Sequence, residues 1–164
     1  MPDFGQLFIK TGGQAIEYNG KILVMSDEIA FEDGDHILVT IEKTHSEWKQ
    51  GVGLCLFGFF EEQGDRFKDR IILWDNLHTK SVELILWKNT TKRKHSKRLP
   101  KNGILHVYNV WEIKSLTGHP CVHYWHHGAA MIVEEIENGR RYRCNDGHPD
   151  DNFDDIVFTI QKIS

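Results

Sequence analysis

Between Asn145 and Asp155 the chain reads Asn145-Asp146-Gly147-His148-Pro149-Asp150-Asp151-Asn152-Phe153-Asp154-Asp155, five aspartates and two asparagines within eleven residues. Short carboxylates at this density repel one another unless a cation lies between them. Calcium suits such a set, because it takes six to eight oxygen ligands in a flexible geometry. The competing reading is a solvated loop, since aspartate and asparagine are also common turn residues.

The spacing is not that of an EF-hand. Counting from Asp150, Asn152 and Asp154 fall on the third and fifth positions, but Asp155 stands where the turn needs glycine and Gln161 where a bidentate glutamate closes the loop. The residues that follow, Ile156-Val157-Phe158-Thr159-Ile160, are β-branched and aromatic. The loop is therefore expected to feed a strand, with carboxylates at the strand's start able to face one point.

The stretch Asp146 to Val157 resembles the calcium loop of the bacterial fucose/mannose-binding lectins, β-sandwiches that hold sugar hydroxyls through two adjacent calcium ions. The resemblance covers about a dozen of the 164 residues. It needs one extra residue near Pro149, and it has Asn152 where the family has aspartate and Asp154 where it has asparagine. It implies calcium as cofactor and a carbohydrate as partner. Asp146, Asp150, Asn152, Asp154 and Asp155 would then be metal ligands, with Asp151 and Asn145 as second choices. Asn145, Asp150, Asn152 and Asp154 would contact the sugar.

Two other constellations carry chemistry. His119-Pro120-Cys121-Val122-His123-Tyr124-Trp125-His126-His127 places Cys121, His123, Trp125 and His127 on one face of an extended strand. Cys121 and His123 could share a zinc ion with His119. His123 and His127 lie about 13 Å apart on an ideal strand, too far to chelate together. A half-buried strand with satisfied imidazoles accounts for the same pattern. From Lys88 to Lys101 run seven lysines and arginines, read as a solvated hairpin or as an anion-binding patch. No aromatic lies inside that run, which argues against single-stranded nucleic acid as its ligand. Motifs for a nucleophile elbow, a phosphate loop, a dinucleotide fingerprint or a zinc protease helix are missing.

The elements that must position these residues read as strands. Candidates are Gly5 to Lys10, Lys21 to Met25, His36 to Lys43, Val52 to Phe60, Arg70 to Trp74, Val82 to Lys88, Ile104 to Ile113, Cys121 to His127, Ala130 to Glu135, Arg140 to Cys144 and Asp155 to Ile163. Asn19-Gly20, Asp33-Gly34, Gln63-Gly64-Asp65, Asn102-Gly103 and Asn138-Gly139 separate them as turns. No helix of three turns is expected. The pattern predicts one all-β domain over residues 1–164, an antiparallel β-sandwich or jelly roll.

Composition agrees with a globular domain, at 40% hydrophobic and 27% charged residues with a formal net charge of −4. That charge does not favour nucleic acid as a partner, and no apolar run is long enough to cross a membrane. Met1-Pro2-Asp3-Phe4-Gly5 lacks the basic and apolar regions of a secretory signal, so the expected setting is cytoplasmic or reached by a non-classical route. Cys55, Cys121 and Cys144 are too few and too widely spaced for a disulfide framework. The leading expectation is a non-enzymatic, calcium-dependent carbohydrate-binding protein, with a homo-oligomer as its corollary. Two alternatives stand beside it: an interaction protein whose calcium only orders the loop, and a transition-metal enzyme using the His119–His127 segment.

Overall fold

The computed structural model describes residues 3–75, 81–89, 101–114, 117–124, 129–147 and 152–163. They form one short helix, α1 (Phe4–Lys10), and twelve strands. The strands are β1 (Ile16–Tyr18), β2 (Lys21–Val24), β3 (Asp27–Ala30), β4 (Asp35–Thr44), β5 (Lys49–Glu62) and β6 (Asp65–Trp74). They continue as β7 (Ser81–Lys88), β8 (Ile104–Lys114), β9 (Pro120–His123), β10 (Ala130–Ile136), β11 (Gly139–Asn145) and β12 (Ile156–Ile163). Every pairing is antiparallel, in the order β1-β2-β10-β11-β12-β4-β7-β5-β8-β3, with β6 on β5 and β9 on β8. The expected all-β antiparallel sandwich is the observed class.

Strand β5 belongs to both layers. Its first half, Lys49 to Cys55, pairs with β8, and its second half, Gly58 to Glu61, pairs with β7. The change happens at Gly58, whose φ of 150° few side-chain-bearing residues adopt. A Cβ there would sit 1.9 Å from the Trp87 carbonyl oxygen, so the close approach of β7 also requires glycine.

The alternation read in the sequence sets the core. Ile37, Val39 and Ile41 of β4 and Leu84 and Leu86 of β7 point inward. Tyr142 and Cys144 of β11 and Ile156, Phe158 and Ile160 of β12 join them against Val52, Leu54, Leu105 and Val107 of β5 and β8. The second face of β7 is half-covered, with Trp87 stacked on Phe59 at 6.1 Å between ring centroids. Asp27 ties the layers together, because its Oδ2 accepts from Arg140 Nη1 at 2.6 Å and from the Tyr142 hydroxyl at 2.7 Å.

The segment Gly5 to Lys10, expected as a strand, is helical. Asp3 caps it by accepting from the Gln6 amide at 3.2 Å, and Phe4 and Phe8, four residues apart, are both buried. Gly12 and Gly13, both at positive φ, end it. This amphipathic turn closes a smaller core of Phe4, Phe8, Ile16, Leu23, Ala130 and Phe153. Strand β6 begins at Asp65 rather than Arg70, because the tight turn at Gln63-Gly64 starts the pairing at once. Trp125, His126 and His127, expected at the end of β9, lie outside the described residues.

Candidate functional site

Two loops meet at one end of the sandwich. The first joins β4 to β5 through His45, Ser46, Glu47 and Trp48, and the second joins β11 to β12 through the acidic stretch. Pairing of β12 with β4 forces the meeting, since Ile156 lies opposite Thr44. The His45 amide then donates to the Asp155 carbonyl at 3.0 Å, and the Asp155 amide donates to the Cys144 carbonyl at 3.1 Å.

The acidic side chains divide into two sets. Asp146 and Asp155 face inward and are engaged by protein donors. Asp146 is fully buried, and its Oδ2 accepts from Ser46 Oγ at 2.6 Å and from Gln50 Nε2 at 3.0 Å. Asp155 Oδ2 accepts from the Asp146 amide at 2.9 Å. Asn145 is buried as well: its Oδ1 accepts from the Phe153 amide at 2.8 Å, and its carbonyl accepts from Asn109 Nδ2 at 2.8 Å. These bonds let the loop turn back on itself, with Phe153 at a φ of 53°. Phe153 is then clamped from the far side by Phe4 of α1, at 5.7 Å between ring centroids.

Asn152 and Asp154 make the second set. They line a cleft of about 610 Å3 with Thr44, His45, Ser46, Glu47, Trp48 and Asp155. The Asp154 carboxylate is half-buried, with no hydrogen-bond donor among the described residues, and Trp48 is half-buried beside it. Asp150 and Asp151 lie outside the described residues. The sequence-expected set is thus placed as Asn145, Asp146 and Asp155 in the scaffold and Asn152 and Asp154 on the cleft wall. Glu47 and Trp48 were missed by sequence reasoning. Their signal was a lone tryptophan inside the polar run Thr44-His45-Ser46-Glu47-Trp48, directly after an alternating strand.

The cleft's chemistry is mostly that of oxygen donors, with the His45 imidazole as a nitrogen donor among them. Carboxylates from Asp154 and Glu47, the Asn152 amide and the hydroxyls of Thr44 and Ser46 line it, with no sulfur. Gln50 adds one further observation. Its Nε2 donates to Asp146 and to the Trp48 carbonyl, while its Oε1 is buried without a hydrogen-bond partner among the described residues. A buried amide oxygen without a donor is a group that a hard cation can satisfy. Among the described residues, no three or more His, Cys, Asp and Glu side chains converge as a metal site.

The histidine segment reaches the structure in part. Cys121 and His123 are half-buried on β9, and the His123 ring stacks on Trp111 at 6.4 Å between centroids. The Cys121 thiol lies 3.9 Å from the His119 carbonyl oxygen. Cys55 is half-buried; burial raises its thiol pKa, with the neighbouring Arg70 opposing part of the shift. No helix among the described residues is long and apolar enough to cross a membrane. The chain matches no protein-family model, no curated protein and no solved structure.

Proposed function

We propose that the cleft between the β4–β5 loop and the β11–β12 loop binds carbohydrate with the help of calcium. One observation carries this reading: an indole, Trp48, lies in the same 610 Å3 cleft as the oxygen-bearing wall of Asn152, Asp154 and Glu47. A pyranose presents exactly complementary surfaces, an apolar ring face for the indole and vicinal hydroxyls for carboxylates, amides or a hard cation. Calcium would be held from the Asp154 side, with Asn152 as a neutral oxygen ligand. Asp150 and Asp151 remain the sequence's further donors. Asp146 and Asp155 act differently, since they hold the loop's shape and so preorganise the wall. The resemblance to the fucose/mannose lectins supports the same chemistry. Single sugar sites bind weakly, so a symmetric homo-oligomer would raise the effective affinity.

The Gln50–Asp146 pair favours a second reading, in which calcium lies behind the loop, orders it and touches no sugar. The two are separated by a monosaccharide panel at saturating calcium, read by tryptophan fluorescence with Trp48→Phe as control. Calcium-dependent quenching that Trp48→Phe abolishes supports the sugar site. Calcium binding without any response to sugars sinks it and leaves the ordering role.

A further inference from the structure

The far end of β5 carries the opposite charge. Gly58 lies nine residues beyond Lys49, about 30 Å along an extended strand, so this end is distinct from the acidic cleft. Here Lys68 of β6, Phe59 of β5 and Trp87 of β7 form one cross-strand row. Arg66, two residues from Lys68 on the same strand, sets its guanidinium 4.6 Å from the Phe59 ring centroid. A cleft of about 320 Å3 opens between Gly58, Phe59, Arg66, Lys68, Lys88 and Asn89.

The charge in this cleft is only partly matched. Lys88 Nζ has Glu32 at 2.9 Å, and Arg66 has Glu61 no nearer than 4.0 Å. Asp69 accepts from the Gly58 amide. Lys68 has no carboxylate within ion-pair distance among the described residues. The chain also leaves β7 here and returns here, since Asn102 Nδ2 donates to the Asn89 carbonyl at 3.0 Å. Between those two residues the sequence carries Lys92, Arg93, Lys94, Lys97, Arg98 and Lys101 and no acidic residue. The cleft thus lies at the root of the most basic stretch in a chain of net charge −4.

We infer that this cleft is a second binding site, which takes the sulfate esters of a polyanionic glycan. Arginine and lysine supply positive charge and several N–H donors for the oxygens of an oxyanion ester, and the Phe59 ring beneath Arg66 holds that guanidinium in place. A single-stranded nucleic acid would need open ring faces for its bases. Phe59 is instead engaged by Trp87 and Arg66, and the Trp87 indole nitrogen is buried. The remaining chemistry is charge and hydrogen bonding to esters along a chain.

The test is titration with a heparin-derived hexasaccharide in chelator, so that the outcome is independent of the calcium reading. An oligothymidylate of matched charge is run alongside. Binding to the hexasaccharide should weaken linearly on a logarithmic salt scale as counterions are released. Arg66→Glu with Lys68→Glu should weaken it by about tenfold or more at fixed salt. Both side chains are exposed, so an unchanged thermal midpoint confirms that the variant is folded. Unaltered binding in the double variant would place the affinity in the basic stretch and overturn the cleft. Tighter binding of the oligothymidylate, or no binding of the hexasaccharide, would overturn the glycan assignment.

Discussion

Asp146 and Asp154 have the same side chain and stand eight positions apart, yet they do different work. The sequence shows both as members of one acidic run. It does not show that Ser46 and Gln50, about a hundred positions earlier, deliver donors to Asp146. That difference is a product of strand pairing, which local composition does not encode. Asp146→Ala should destabilise the fold by about 2–4 kcal/mol, because it orphans buried donors and leaves a hole. Asp154→Ala should stay within about 0.5 kcal/mol without calcium, its carboxylate having no donor to lose among the described residues. Urea unfolding of both variants in chelator checks the pair, and equal losses would contradict the division into scaffold and wall. The oxygen-donor character of the site was legible in the sequence, whereas Trp48 and Glu47 were not, because they join it only through the pairing of β4 with β12.

Elements with a strong period and a turn residue at each end were the legible ones. Strands β4 and β7 alternate between buried and more exposed positions, and Asn19-Gly20 and Gln63-Gly64 supply the positive φ pairs of two-residue hairpins. The misreading of α1 has a physical cause. Phe4, Leu7 and Phe8 are as apolar as a strand, and the helix spans only seven residues, so its period is barely sampled. The Asp3 cap and the Phe4–Phe8 spacing were the available signal. Phe4→Ala should loosen α1 from the smaller core and free Phe153, with faster amide exchange in Phe4–Lys10 and around Phe153 than in β5. Exchange rising equally in β5 would show that α1 is part of the main cooperative unit. Gly58→Ala should cost more than about 3 kcal/mol, since its Cβ has no room beside β7. A thermal midpoint close to the parent's would contradict the place assigned to that residue in joining the layers.

At the scale of the whole molecule, the sandwich is closed by groups that must stay neutral. Burial raises the Cys144 thiol pKa well above its usual value, and Asp155's charge adds to the shift. Burial, with Asp27 beside it, raises the Tyr142 phenol in the same direction. Both pKa values are higher folded than unfolded, so the unfolded chain loses these protons first. Their contribution is fully present below the unfolded values of 9.0 and 10.0 and falls as pH rises through them. The slope is at most about 1.4 kcal/mol per pH unit for each group. Urea midpoints measured from neutral to alkaline pH should decline accordingly, and a flat profile would contradict the burial of the pair. The class of fold was legible because alternation and turn chemistry repeat along the whole chain. The separation of an acidic cleft from a basic one was not, since it follows from which ends of β5 the two loops adjoin. The central claim is that the acidic loop holds calcium at the cleft, and titration calorimetry of chelator-stripped protein tests it most directly. Micromolar to millimolar binding with a raised thermal midpoint, lost in Asp154→Ala, is the expected result. No heat and no shift, or undiminished affinity in that variant, would contradict it.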